Sequence, residues 1–229
     1  SVPYYLESKG IRPAGVYVRQ GASSVPASEA AILKMIKETD GDKYENLRSI
    51  HQELTFTAAE KEFDTDGVLF NEHTMRTLKL ISEDGVYTNL GLLLSDQCPH
   101  TIKAAVFEGT NKCIFKDRAE FTGSLLEQIN SVYEYVNRYN RTRSEFEGLH
   151  RIDIRDYPIE AIREALLNAV VHRDYAFSAS ILVSIFDDRI EIVSIGGLVR
   201  GITQNEIFMG LSVQRNESHA KVFYRLSLI

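Results

Sequence analysis

Residues 158–175, PIEAIREALLNAVVHRDY, decide how the rest of the chain is read. Pro158 stands at a first-turn position, where a missing N–H costs nothing. Ile159, Ile162, Leu166, Ala169 and Val170 then recur at the spacing of one buried helical stripe. At about 100° per residue, Glu164, Asn168 and His172 project from the opposite side, stacked at i, i+4 and i+8. Ala161 and Ala165 flank them and leave room for something to approach. Glu164 can serve as a base towards a bound water, and the Asn168 amide oxygen is a hard ligand suited to Mg²⁺. The same stripe also reads as a solvated helix face.

Working outward, residues 180–186 and 190–194 read as two strands joined by Asp187-Asp188-Arg189. Short helices are expected over 203–210 and 218–228. On the other side, residues 150–155 alternate as an edge strand. A long helix covers 123–140, with Leu125, Leu126, Ile129, Val132, Tyr133 and Val136 inward and a basic end at Arg138, Arg141 and Arg143. Residues 102–107 form a strand. Residues 88–95 form a short apolar helix, which without a single Lys or Arg packs in a core and does not act as a DNA-recognition helix. Residues 71–83 give a helix with Met75, Leu78 and Ile81 inward, ending at Gly85. Thr57-Ala-Ala-Glu60 has capping-box spacing for a helix over 57–64. Residues 40–57 read as a connection. Strands are expected at Tyr4–Leu6 and Gly15–Arg19, a polar turn at Gly21–Ser28, and a helix over Glu29–Glu38 capped by Ser28.

Composition bounds these elements. At 229 residues, 44% hydrophobic and 25% charged, the chain suits a soluble globular protein with one large domain or two modest ones. No apolar run approaches the roughly 20 residues of a membrane span, and no secretory segment opens the chain. Cys98 and Cys113 lack CxxC spacing and read as free thiols of a reducing, cytoplasmic compartment. The net charge of −6 disfavours a general nucleic-acid coat but permits a local basic patch. No Gly-x4-Gly-Lys-Ser/Thr pattern occurs, which excludes a P-loop helicase on this chain. The first residue is Ser1 and the last five are in a helix-like apolar pattern, as expected of a fragment.

Five stretches carry a resemblance: GVYVRQGASSVPAS at 15–28, TNLGLLLSDQCPHTIKAAVFEG at 88–109, EALLNAVVHRDY at 164–175, IEIVSIGGLVRGIT at 190–203 and GLSVQRNESHAKVF at 210–223. In this order they resemble transcriptional regulators of the RecG-like helicase-related type. Those proteins join an AlbA-type, Schlafen-like DNA-binding domain to a divergent GHKL-type ATPase domain. The resemblance implies an α/β (α+β) fold: an AlbA-like part over 1–56, a linking region over 57–150, and a GHKL-like α/β sandwich over 151–229. It implies ATP and Mg²⁺ as ligands, with Glu164 as general base and Asn168 on the metal. His172, Gly196, Gly197, Arg215 and Asn216 would surround the nucleotide. Arg19, Ser23 and Ser24 would form a phosphate-contacting turn for DNA, although the same turn also reads as purely structural.

The sequence departs from the family at the adenine-reading Asp-x-Gly-x-Gly, which here is Ser194-Ile195-Gly196-Gly197-Leu198. Asp187 and Asp188 lie in the preceding turn and do not replace that Asp. A Gly-rich lid is missing or lies beyond Ile229, and the acidic residues of the related Schlafen nucleases belong to a part that this chain does not contain. The expected function is a DNA-binding regulator whose nucleotide site is weak or degenerate. The alternatives are a Mg²⁺-dependent ATPase and a non-catalytic dimerisation scaffold, and a homodimer is an expected partner state.

Overall fold

Val18 and Val25 face each other, half-buried, across a small hairpin near the start of the chain. The computed structural model describes residues 15–20, 23–28, 44–198, 203–209 and 213–229. The chain divides into two compact units, Ser1–Lys43 and Tyr44–Ile229. In the first, β1 (Tyr17–Gln20) pairs antiparallel with β2 (Ser23–Pro26). Val16 and Ala27 extend the apolar side of this pair and are buried. Residues 23–26 of the expected polar turn are therefore a strand, because Val25 finds a β-branched partner in Val18. The expected strand at Tyr4–Leu6 and the helix at Glu29–Glu38 lie outside the described residues.

The second unit is built on β3 (Ile102–Phe107) and β7 (Ile181–Ile185), which run parallel with Ile102 opposite Ile181 and Val106 opposite Ile185. Between them in sequence lie β4 (Phe115–Phe121), the two-stranded arm β5 (Thr142–Glu147) and β6 (His150–Arg155), and two helices. With β8 (Ile190–Val193) the sheet order is β4-β3-β7-β8, antiparallel except at its centre. β3 and β7, which lie on either side of residue 150 in sequence, both belong to the Tyr44–Ile229 unit.

Alternation gives β3 its buried Ile102, Ala104 and Val106 and its exposed Lys103. The helices on this core are α1 (Thr57–Thr65), α2 (Glu72–Thr77), α3 (Asn89–Leu94), α4 (Leu125–Tyr139) and α5 (Ile159–Val171). They are followed by α6 (Gln204–Phe208) and α7 (Glu217–Arg225). All six residues of α3 are buried, as its composition requires. On α5 the stripe Ile162, Leu166, Ala169 and Val170 is buried, and Leu167 and Val171 join it. The apolar side of this helix is therefore wider than its periodicity suggests.

Several boundaries follow from partners distant in sequence. The Thr57 side chain does not cap α1. The Asp96 carboxylate does so, accepting from the Thr57 and Ala58 N–H groups at 3.0 and 3.3 Å and from the Thr55 hydroxyl at 2.7 Å. Burial raises the Asp96 pKa, but these hydrogen bonds outweigh it and hold the carboxyl below its usual range. α2 ends at Thr77, short of the expected 83. Lys79 takes a left-handed φ of 62°, and the Leu80 N–H returns to the Met75 carbonyl at 2.8 Å. This is a helix stop usually signalled by glycine, so a lysine there hides it. β4 is a largely exposed, charged edge strand, invisible to a search for apolar alternation. Among the described residues no helix is long and apolar enough to cross a membrane.

Leu166 retains only 2% of its surface. Leu166→Ala should cost about 2–5 kcal/mol, read as a lowered denaturant midpoint with the slope unchanged.

Candidate functional site

Glu164 and Asn168 sit one turn apart on the exposed side of α5, beside the exposed Ala161 and Ala165. The Asn168 amide donates to Glu164 Oε1 at 3.0 Å. Its N–H is thus committed to the carboxylate, and its oxygen is the atom left for a cation or a donor. One turn on, His172 closes the helix, half-buried, with its N–H on the Asn168 carbonyl at 3.0 Å. Burial, and then the charge of Arg215, pulls the His172 pKa down, which favours the neutral ring.

Beyond His172 the chain turns and meets the exit of β8. The Asp174 N–H donates to the Ile195 carbonyl at 2.7 Å, and the Ser194 hydroxyl donates to the Ala169 carbonyl at 2.6 Å. Gly196 lies against this corner with φ 142°. A Cβ there would come within 3.3 Å of the Asp174 nitrogen and 3.4 Å of the His172 oxygen. Glycine at 196 therefore lets strand and helix end close on each other. Gly197 is open, with nothing within 4 Å of an added Cβ. Its carbonyl accepts from Arg215 Nη2 at 2.6 Å, and Arg215 Nη1 reaches the Asp174 carboxylate at 3.4 Å. Asn216 is buried, and its amide donates to the Val171 and Arg173 carbonyls at 2.7 and 2.8 Å. It satisfies carbonyls at the end of α5 that have no partner within the helix.

His172, Gly196, Gly197, Arg215 and Asn216 thus form one corner, with Asn168 and Glu164 on the two preceding turns of α5. Phe177 and Leu198 are 56% and 52% exposed and do not plug it. Arg19, Ser23 and Ser24 lie in the other unit, all exposed, with Arg19 directly across the hairpin from Ser24.

Beneath the corner is a polar core that the sequence does not announce. Arg173 is fully buried: Nη2 meets His100 Nδ1 at 3.0 Å, the Phe177 carbonyl at 3.1 Å and the Ala179 carbonyl. Its guanidinium carbon stands 5.1 Å from the centre of the Tyr175 ring. Glu45 is buried and accepts from the Ser218 and His219 N–H groups at 2.9 and 2.8 Å, capping α7. Arg and Glu ordinarily signal surface, so neither position reads as core in the sequence.

Among the described residues no group of three His, Cys, Asp or Glu side chains could hold a metal. Glu164 and Asn168 offer hard oxygens that fit Mg²⁺ only where phosphates and water fill most of its octahedron. A carboxylate beside an amide can orient a water, and Arg215, half paired with Asp174, supplies a cation near His172.

Residues 178–229 match a family model described as "Putative ATP-dependent DNA helicase recG C-terminal". The match takes in β7, β8, Gly196, Gly197, Arg215, Asn216 and α7, and begins after the helix that carries Glu164 and Asn168. No curated protein matches the chain. Among solved structures, the crystal structure of the DIP2311 protein from Corynebacterium diphtheriae is similar, with a TM-score of 0.71 and 23% identity. The similarity covers 93% of this chain and 45% of that one, so the chain spans less than half the length of that protein. It establishes a shared fold.

His219 and His100 lie in the buried core, and burial depresses their pKa values to about 3 and about 4, the Arg173 charge adding to the effect on His100. Both values lie below the ordinary 6.5, so the unfolded chain binds more protons within that window. Stability is therefore complete above about pH 6.5 and falls as pH drops towards 4. Urea midpoints over this range should show the loss, and His219→Leu should flatten it.

Proposed function

We propose that the chain is part of a DNA-binding regulator whose Tyr44–Ile229 unit binds a nucleotide weakly along the Glu164–Asn168 face of α5. The observation that carries this reading is the exposed, hydrogen-bonded Glu164–Asn168 pair, on the helix that precedes the RecG-type segment. In this reading the Asn168 oxygen faces Mg²⁺, and Glu164 orients and deprotonates the attacking water. Mg²⁺, when bound with the nucleotide, neutralises phosphate charge. The open Gly197 turn gives the ligand backbone access. Ser194 has already donated its hydroxyl hydrogen to Ala169, so it meets an adenine amino group with lone pairs alone. A neutral acceptor is weaker than the carboxylate it stands in for. Weak binding, little base selectivity and slow turnover follow.

One observation favours a scaffold instead: Gly196, Arg215 and Asn216 each already perform an intramolecular task at this corner. Thermal shift and calorimetry with ATP, ADP and Mg²⁺ separate the two readings. Nucleotide binding predicts stabilisation by millimolar ATP with Mg²⁺. Asn168→Ala should remove the Mg²⁺-dependent part, and Glu164→Ala should keep binding while losing turnover. A flat response to ATP supports the scaffold.

For the first unit, we propose that Arg19, Ser23 and Ser24 contact DNA phosphates, on the strength of their joint exposure across one hairpin. Affinity should then fall with salt. Arg19→Ala should weaken binding to all sequences alike and reduce the salt slope by about 1. Anisotropy titrations with unrelated duplexes check this, and an unchanged Arg19→Ala affinity would return the hairpin to a structural role.

A further inference from the structure

Among the described residues β5 and β6 form a sheet of two strands, and every residue of β5 is exposed. A hairpin of this kind buries too little to be more than marginally stable on its own, and its outer strand presents unpaired backbone groups. The turn at its tip is the two residues Gly148 and Leu149, with Gly148 at φ 62°. At the other end, the Asp156 N–H donates to the Arg141 carbonyl at 2.9 Å. Antiparallel alternation from that pair turns the backbone groups of Arg143, Glu145 and Glu147 towards β6. Those of Thr142, Ser144 and Phe146 consequently face the open edge.

Along that edge the sequence is Arg141-Thr142-Arg143-Ser144-Glu145-Phe146-Glu147. It is basic before Ser144 and acidic after it, and the four charged residues share one face by strand periodicity. A second copy laid antiparallel, Ser144 against Ser144, places Arg143 opposite Glu145 of that copy and Arg141 opposite its Glu147, twice over by symmetry. The same register pairs residues 142, 144 and 146 among themselves, the residues whose backbone groups point outward. Sliding by two residues in either direction sets Glu145 against Glu145 or Arg143 against Arg143. Backbone and charge therefore select one register. On the opposite face, Phe146, 76% exposed, comes to lie against Thr142 of the second copy.

We infer that β5 is a homodimerisation edge, joining two copies about Ser144 into a four-stranded sheet β6-β5-β5-β6. This inference is independent of the nucleotide and DNA readings. In the single chain Arg143 rests on Glu145 at 3.3 Å and Arg141 on Asp187 at 3.6 Å, with both arginines about 70% exposed. Such exposed pairs are worth little and exchange readily. The edge of β6 is less suited, because Arg151 and Asp153 already form a two-point pair at 2.7 and 3.0 Å. The joined surface is small, so the dimer is weak, concentration-dependent and weakened by salt.

Sedimentation velocity of the full chain over a concentration series tests this. The wild type should pass from monomer to dimer as concentration rises. Arg143→Glu sets two carboxylates opposite each other at both symmetric positions and should weaken the dimer by about tenfold or more. The charge swap Arg143→Glu/Glu145→Arg should restore it. Ser144→Pro removes an outward N–H and should abolish the dimer, while an unchanged thermal melt shows that the fold survives. A chain monomeric at every concentration overturns the proposal, as does a dimer indifferent to Arg143→Glu and Ser144→Pro, or a charge swap that fails to rescue. A monomer that binds duplex DNA, and loses it in Arg143→Glu, also overturns it and makes the arm a nucleic-acid contact.

Discussion

A guanidinium with no access to water holds the two central strands together where they begin. Arg173 reaches His100, two residues before β3, and the carbonyls of Phe177 and Ala179, just before β7. Beside it the Thr101 and Ser180 hydroxyls meet at 2.7 Å, and the Ile181 N–H donates to the Thr101 carbonyl at 3.2 Å. Antiparallel neighbours can inherit their register from a tight turn, but parallel strands cannot. Here a charge bridges the strand entries, bound to the His100 ring before β3 and to two carbonyls before β7. Burial weakens the charged form of Arg173 and lowers its pKa, and the Tyr175 ring face offsets part of that cost.

That arrangement explains why the corner above it is so closely stitched. Arg173 follows His172 directly, so the end of α5 must sit where the guanidinium can reach both strands. Asn216 takes the last carbonyls of the helix, Gly196 lets β8 approach, and Ser194 ties the strand exit to Ala169. Residues that would hold a ligand therefore also hold the fold. Among the described residues, Glu164 and Asn168 are the members of the group whose side chains bond to each other and to no other part of the fold.

Much of this was legible in the sequence where one strong signal sufficed. Thr88–Ser95 had to be buried on composition alone, and α5, β3, β7 and β8 came from simple periodicity. What stayed hidden depended on partners far along the chain or on exposed edges. Asp96 caps α1 from beyond α3, so the Thr57-Ala-Ala-Glu60 pattern pointed to the right helix with the wrong cap. Arg141 and Arg143 looked like a basic helix end. In fact α4 stops at Tyr139, and they enter an arm whose polarity conceals its first strand, although its second, residues 150–155, reads as an edge strand. At the site, the stack of Glu164, Asn168 and His172 was readable from spacing. The task of Asn216 was not, because a buried amide is defined by the carbonyls it finds.

The cap on α7 has a consequence for the order in which the chain can close. Glu45 belongs to the first turn of its unit, yet the N–H groups it accepts from lie 173 and 174 residues later. These two bonds can form only once residue 219 has been made, so α7 is capped by a side chain synthesised at the very start of its unit. Closure over Glu45 is therefore a late, long-range step that carries the entropy of a very large loop. α7 works as a stopper fitted from the far end of its unit and fastened by a carboxylate at the near end.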